Sequence, residues 1–237
     1  MGVIFDIFIL AIIALCCRNS AKRGVAATLV SIVVFMVSMT GAGFAAKNHT
    51  DGLMTTMTPF LSGVMESKGA PEAQKELGLR KSGLSINDKI EEEPTFIFDY
   101  SNACFEQLGI SSKTADKFSR ISAQNYVNGA DANEAVSASF CKAVAYFVAV
   151  IIAFTIIIIF LSVVVELTHV KPKLKLSGDD NEYFGAIAGF FKGVVLCIGI
   201  CWVLSFLGAV IGRGTIEKSV IGKFLLSLNY LTNIAVA

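Results

Sequence analysis

The sequence has few charged residues and very little histidine, proline or tryptophan. Only 16% of its 237 residues are charged, whereas soluble globular domains have about 25%. The formal net charge of +1 lacks the basic excess that is typical of a nucleic-acid-binding domain. The two histidines, His49 and His169, are too far apart for the His-x-x-x-His motif of zinc proteases. Phosphate-binding loops and Gly-x-Ser-x-Gly motifs are also absent, so we expect no catalytic site, no metal site and no cofactor.

Hydrophobic residues make up 54% of the chain, and the mean hydropathy is +0.65. They are concentrated in runs: residues 25–46, 143–165 and 194–212 contain no charged side chain. Each is close to the length of about 20 residues with which a helix crosses a bilayer. A fourth run, residues 3–17, contains one charge, Asp6. We therefore predict an all-α integral membrane protein with four transmembrane helices.

The polar residues divide this sequence into four segments. Residues 1–46 and 143–212 are predicted to form two transmembrane hairpins. Residues 47–142 contain 10 Lys or Arg and 13 Asp or Glu, and the apolar residues in this segment recur at helical spacing. We predict a mostly helical insertion outside the membrane there, between the second and third transmembrane helices. Residues 213–237 are predicted to form an amphipathic C-terminal helix, lying in the membrane interface or packed on the bundle.

Three local features of the insertion lead to structural predictions. Residues 67–84 are polar and rich in turn-forming residues, which predicts a loop. Asp131, with Glu134 three residues later, is typical of a helix N-terminus, and this helix is expected to run directly into the third transmembrane helix. Cys104 and Cys141 are either a disulfide pair or, more simply, two unpaired small residues.

Gly185, Gly189 and Gly193 follow one another at intervals of four residues and lie on one face of the fourth transmembrane helix. Without side chains, this face allows another helix to approach closely, which drives helix association in lipid. We expect these glycines to pack the bundle, with a contact between two copies of the chain as a further possibility. Replacing Gly189 by leucine is expected to disrupt packing more than replacing it by alanine.

Three ionisable residues lie in or beside the predicted transmembrane helices: Asp6, Glu166 and Lys192. An ionisable group at such a position is a candidate functional residue, because burying its charge in lipid costs free energy. Asp6 and Glu166 are near helix ends and can reach the headgroups. Lys192 is deeper, and it either extends its amine to the interface or pairs with Glu166.

The orientation in the membrane depends on the basic residues around the first two helices. Arg18, Lys22 and Arg23, followed by Gly24, occupy the short connection between these helices, and no Lys or Arg precedes the first one. Because cytoplasmic loops are enriched in Lys and Arg, we place this connection in the cytoplasm. Both termini and the long insertion are then expected outside the cytoplasm.

The order of helices, together with three short motifs, resembles the colicin V production (CvpA-like) family of bacterial membrane proteins. The motifs are Phe5-Asp6-Ile7, Lys22-Arg23-Gly24 and Gly185-x-x-x-Gly189-x-x-Lys192-Gly193. The chain departs from the family at Asn181-Glu182, where the family has Asp-Arg, and in the length of the insertion. The resemblance implies an integral inner-membrane protein that participates in toxin production or export and in envelope homeostasis, with no enzymatic activity.

These observations predict a non-enzymatic protein of the bacterial cytoplasmic membrane. Its expected partners are the lipid bilayer and a protein that binds residues 47–142; no nucleic acid is expected. One alternative is a small transporter or channel subunit, in which Asp6, Glu166 and Lys192 would line a path. Another is a membrane anchor for a partner protein.

Overall fold

The computed structural model describes residues 2–79, 83, 85–126, 131–168, 178–206 and 218–228. These residues are almost entirely helical and contain no strand. The helices, numbered in chain order, are α1 (Gly2–Arg23), α2 (Val25–Val64), α3 (Ala70–Glu76), α4 (Ile86–Glu92), α5 (Phe96–Gln107), α6 (Ser112–Asn125), α7 (Ala132–Leu167), α8 (Gly178–Phe206) and α9 (Val220–Ser227). Four of them, α1, α2, α7 and α8, are long and apolar enough to cross a membrane. The predicted all-helical class with four such helices is confirmed.

The chain divides into two compact units. The first, which we call the span unit, comprises Met1–Ala45, Val150–Leu204 and Gly214–Leu231. The second, the insertion unit, comprises Ala46–Ala149, Ser205–Arg213 and Thr232–Ala237. The border between the units falls inside the long helices and not at their ends.

The connection between α1 and α2 consists of one residue, Gly24. The sequence had suggested a loop over residues 18–24, but α1 continues to Arg23. Gly24 has a φ of +81°, a conformation that glycine adopts without steric cost, and its N–H donates to the Ser20 carbonyl at 2.9 Å. The basic side chains of Lys22 and Arg23 fall in the last turn of α1, where positive charge interacts favourably with the helix dipole.

Helical structure continues well beyond the predicted end of the second apolar run. α2 extends to Val64, and a π-helical turn, Met65–Gly69, connects it to α3. The predicted loop over residues 67–84 is therefore wrong for its first ten residues. Alanine, glutamate, lysine and glutamine in α3 are strong helix formers, and Pro71 occupies its first turn, where proline is well accommodated. Residues 80–82 and 84 lie outside the described residues.

The N-terminus of α7 is capped as the sequence predicts. The Asp131 carboxylate accepts a hydrogen bond from the Asn133 N–H at 2.9 Å, and α7 runs without interruption to Leu167. The core of the insertion unit contains large side chains from its short helices and from the adjoining parts of α2 and α7. Its most deeply buried members include Met65, Tyr100, Cys104, Phe105, Phe118 and Val136.

The C-terminal helix α9 is short. Of the predicted amphipathic segment 213–237, the structure describes residues 218–228, and α9 covers eight of them. Leu225 and Leu226 are buried with Phe5 and Ile9 of α1 and with Cys197 and Cys201 of α8. Val220 and Phe224 of the same helix are exposed, because the side of α9 that faces α1 carries Gly222, Leu225 and Leu226.

Candidate functional site

The glycines of α8 pack directly on the backbone of α1. A Cβ atom added to Gly189 would lie 2.7 Å from the Cys16 carbonyl oxygen, 2.7 Å from the Ser20 Cβ and 2.8 Å from the Cys17 Cα. Carbon atoms do not approach backbone atoms this closely in folded proteins. Even an alanine methyl group at Gly189 therefore requires α1 to move.

The same contact extends one turn in each direction along α8. A Cβ on Gly185 would lie 2.7 Å from the Ser20 carbonyl oxygen, and one on Gly193 would lie 3.0 Å from the Ile13 Cα. The two helices are antiparallel, since the earlier glycine meets the later part of α1. An intramolecular partner thus fills the glycine face, and a contact between two copies through this face would have to displace α1.

The matching face is a set of small residues on α1 and at the connection that follows it, of which the sequence patterns had indicated Gly24 alone. Cys16, Ser20 and Gly24 are spaced four residues apart, as Gly185, Gly189 and Gly193 are. A small-x-x-x-small repeat is the signal that predicts close helix packing in lipid. Reading cysteine and serine as small residues would have identified this second half of the contact.

Asn181, in the first turn of α8, contacts the α1–α2 connection beside the glycine contact. Its Oδ1 atom accepts a hydrogen bond from the Val25 N–H at 3.1 Å, which satisfies one of the free donors at the start of α2. A Cβ on Gly24 would lie 2.6 Å from the Asn181 Nδ2. The positive φ therefore favours glycine at position 24, and a larger residue there would also have to displace the Asn181 side chain.

Asp6 caps the N-terminus of α9. Its carboxylate accepts hydrogen bonds from the Ser219 hydroxyl at 2.5 Å, from the Val220 N–H at 3.2 Å and from the Ile221 N–H at 3.0 Å. The Ser219 Oγ in turn accepts from the Gly222 N–H at 2.8 Å. A carboxylate at a helix N-terminus is favoured by the dipole and by the unpaired amides, so Asp6 connects the first and last described helices.

Lys192 and Glu166 do not form the ion pair that the sequence suggested. Lys192 is half-buried at the midpoint of the 29-residue α8, about 21 Å from either end at 1.5 Å per residue. Glu166 is exposed near the end of α7. Among the described residues, no ion pair joins Lys192 to Glu166 or to Asp6. The three ionisable residues are thus not paired with one another.

Of the residues that were expected to set the topology, the three cations lie at the surface of the span unit. Arg18, Lys22 and Arg23 are exposed, and Gly24 is buried. Exposed cations at the end of an apolar helix are placed to contact phosphate headgroups. His169 and the lysines at 171, 173 and 175 lie outside the described residues.

All six cysteines are free thiols. Cys104 and Cys141 are buried and unpaired, so the alternative of a disulfide between them is wrong. Cys197 and Cys201 pack among apolar side chains, as small hydrophobic residues do. Across the described ranges, no group of three His, Cys, Asp or Glu side chains is arranged to hold a metal ion.

The insertion unit contains a polar pocket of 450 Å³ bordered by Gln74, Ser85, Asn87, Asp131 and Asn133. These side chains already have structural partners. Asn87 accepts from the Ala132 N–H at 3.2 Å, and Asn133 accepts from the Tyr100 hydroxyl at 2.5 Å. The pocket therefore reflects how α7 is capped, and it does not place an acid, a base and a nucleophile together.

Comparisons of the chain with protein-family models, with curated proteins and with solved structures find no match. The contacts described above are close helix–helix contacts and helix caps, which can hold an apolar helix bundle together.

Proposed function

We propose that the chain is a non-enzymatic, multi-pass protein of the bacterial cytoplasmic membrane, of the colicin V production type. In this proposal α1, α2, α7 and α8 cross the membrane. Both termini and the insertion unit face away from the cytoplasm. The protein acts in the production or export of a toxin and in envelope homeostasis, through a protein partner that binds the insertion unit.

The observation that carries this proposal is the contact between the motifs on which the resemblance rests. Gly24 of the second motif lies against Gly185 of the third, where an added Cβ would be 3.3 Å from the Gly24 carbonyl carbon, and the other glycines of α8 lie against α1. Two motifs that are far apart in sequence thus form one packed contact, as expected of a signature with a structural role. Support for the membrane location comes from the four apolar helices and their exposed hydrophobic side chains.

A complementation assay tests the function. The full chain is expressed in bacteria that carry the colicin V genes but lack their own colicin V production protein, and the secreted toxin is measured as growth inhibition of a sensitive strain. We expect the wild-type chain to restore secretion. The Gly52→Leu variant, at a glycine with open space around it, should restore it equally. A wild-type chain that is inserted in the membrane but restores no secretion would contradict the proposal.

The orientation has a separate test. Cysteine-free variants with single new cysteines at exposed positions, Asp51 in the insertion unit and the uncharged Asn19 near the first connection, are treated with a membrane-impermeant maleimide on intact spheroplasts. The proposal expects labelling at position 51 and none at position 19 until the membrane is opened. The reverse pattern would place the insertion unit in the cytoplasm.

The transporter alternative receives less support from the geometry. Asp6 is engaged in capping α9, Glu166 is exposed, and neither forms an ion pair with Lys192. If the chain nevertheless transports a charged solute, replacing Lys192 by glutamine should abolish flux in reconstituted vesicles without reducing insertion.

A further inference from the structure

A pocket of 340 Å³ lies within the span unit, between α2, α7 and α8. Every described residue that lines it is hydrophobic or glycine. Phe35 and Met39 come from α2, Phe154 from α7, and Gly199 and Trp202 from α8. Its volume is at the lower end of the range of about 300–1,000 Å³ that is typical of small-molecule sites.

The lining decides what the pocket can hold. A water molecule needs two to four polar partners, and apolar cavities without them stay dry and take up hydrocarbon. Among the described residues, no charged side chain and no polar atom faces the pocket, so an ion, a headgroup or a sugar would lose its hydration without compensation. The lining therefore suits a hydrocarbon group.

The shape of the lining favours a linear hydrocarbon. On α8, the lining residues extend from Leu196 to Leu204, a length of about 12 Å at 1.5 Å per residue. Val150, Ile151 and Phe154 follow α7 on another side. Gly199 leaves space beside this groove: a Cβ there would be in ordinary contact, 3.5 Å from the Phe35 Cζ and 3.8 Å from the Met39 Cε.

The pocket lies where a linear hydrocarbon chain can reach it. Its lining belongs to three of the helices that are long and apolar enough to cross a membrane, and Ile151 of the lining is itself partly exposed, as is its neighbour Ile152. Under the proposed function, this surface faces the acyl-chain layer of the bilayer. An empty groove there would forfeit dispersion contacts on both of its walls.

We propose that this pocket is a binding site for one acyl chain of a membrane lipid, which lies along α8 beside Gly199. The proposal rests on the proposed membrane location. The bound chain fills the space between the three helices and, because it binds the folded protein, stabilises it by mass action.

Photocrosslinking in the membrane tests the site. Cells that express the full chain are fed a fatty acid with a diazirine near the end of its chain, and the labelled residues are mapped by mass spectrometry after irradiation. We expect the label at Met39, Ile151 and Val203 to exceed that at Ile159, an exposed residue of α7 away from the pocket. The Gly199→Leu variant fills the groove and should lose the pocket label while keeping the label at Ile159.

Two controls keep the outcomes distinct. Ile187→Leu, on an exposed part of α8, should leave the pocket label unchanged, and Val203→Trp fills the groove from another position if Gly199→Leu does not accumulate. Pocket labelling equal to that at Ile159, or unchanged when the groove is filled, would overturn the acyl-chain site. A chain that is released from membranes by alkaline carbonate would instead contradict the membrane location.

Discussion

The span unit and the insertion unit place their large hydrophobic side chains in opposite ways. Among the described residues, every exposed large hydrophobic side chain except Phe60 belongs to the span unit. The insertion unit buries such side chains instead, with Tyr100 and Phe105 completely inaccessible. The same chain therefore contains one unit with an apolar surface and another with an apolar core.

This difference shows which force holds each unit together. In lipid, apolar side chains gain little by leaving their surroundings, so helices associate through close backbone packing at small residues. The contact of Gly189 with Cys16 and Ser20 is of this kind. In water, burial of aromatic and aliphatic surface drives folding, and the core around Phe105 is of that kind. Substitutions that change size should thus have opposite consequences in the two units.

The largest effect is expected for Gly189→Leu. Its side chain would overlap the backbone of α1, so we expect loss of the folded span unit and little material that survives size-exclusion chromatography in mild detergent. Gly189→Ala should destabilise the protein by about 1–3 kcal/mol, as is typical of overpacking. Gly52→Leu, with open space around it, is the matched control. A Gly189→Leu variant with wild-type melting behaviour would show that the glycine contact does not hold the unit together.

The corresponding change in the insertion unit removes volume instead of adding it. Phe105→Ala should cost about 3–5 kcal/mol, because it deletes a fully buried aromatic ring. Limited proteolysis in detergent should then cleave between residues 86 and 126 while the span unit resists. Phe60→Ala, on an exposed ring, is expected to stay within about 0.5 kcal/mol of wild type. Equal protease resistance of the two variants would contradict an aromatic core.

A smaller effect is expected at the cap of α9. Ser219→Ala removes a hydroxyl that accepts from the Gly222 N–H and donates to Asp6, and losing an N-cap costs about 0.5–2 kcal/mol. Hydrogen exchange at the amides of Leu225 and Leu226 should accelerate. Ser227→Ala, at the exposed other end of α9, should leave those rates unchanged. The interpretation fails if both variants exchange at the wild-type rate.

The smallest effect concerns a single thiol. Burial raises the pKa of Cys104 from its ordinary value of 9.0 to about 12. Because the folded pKa is the higher one, this contribution to stability is complete below pH 9 and is lost as the pH rises from 9 towards 12. Iodoacetamide should therefore leave Cys104 unmodified at pH 8.5 in the native protein and modify it after denaturation. Rapid alkylation of the native thiol would indicate an open core.

Sequence patterns were sufficient for the features that are local. Apolar runs, three of them without any charge, identified the four long helices, and the positions of Asp131 and of the α8 glycines predicted a helix start and a packing face. The loop over residues 67–84 was mispredicted because polar composition was given more weight than the helix propensity of α3. The end of α1 was placed too early, since basic residues were interpreted as a loop although they suit a helix C-terminus.

Contacts between distant parts of the chain were beyond such reasoning. Asn181 meets the start of α2 across 156 positions, and Asp6 meets Ser219 across 213. Both involve a polar side chain that caps a helix other than its own. The residue spacing within one helix does not indicate which other helix its polar side chains will cap, because that depends on how the helices are arranged in space.

The single residue between α1 and α2 also constrains the hairpin that these two helices form. With Gly24 as the entire connection, α1 and α2 form a hairpin with almost no freedom at its bend, and the cations at the end of α1 lie at that bend. A residue with a side chain at position 24 would strain the hairpin through the positive φ alone, so the hairpin itself selects glycine, independently of α8.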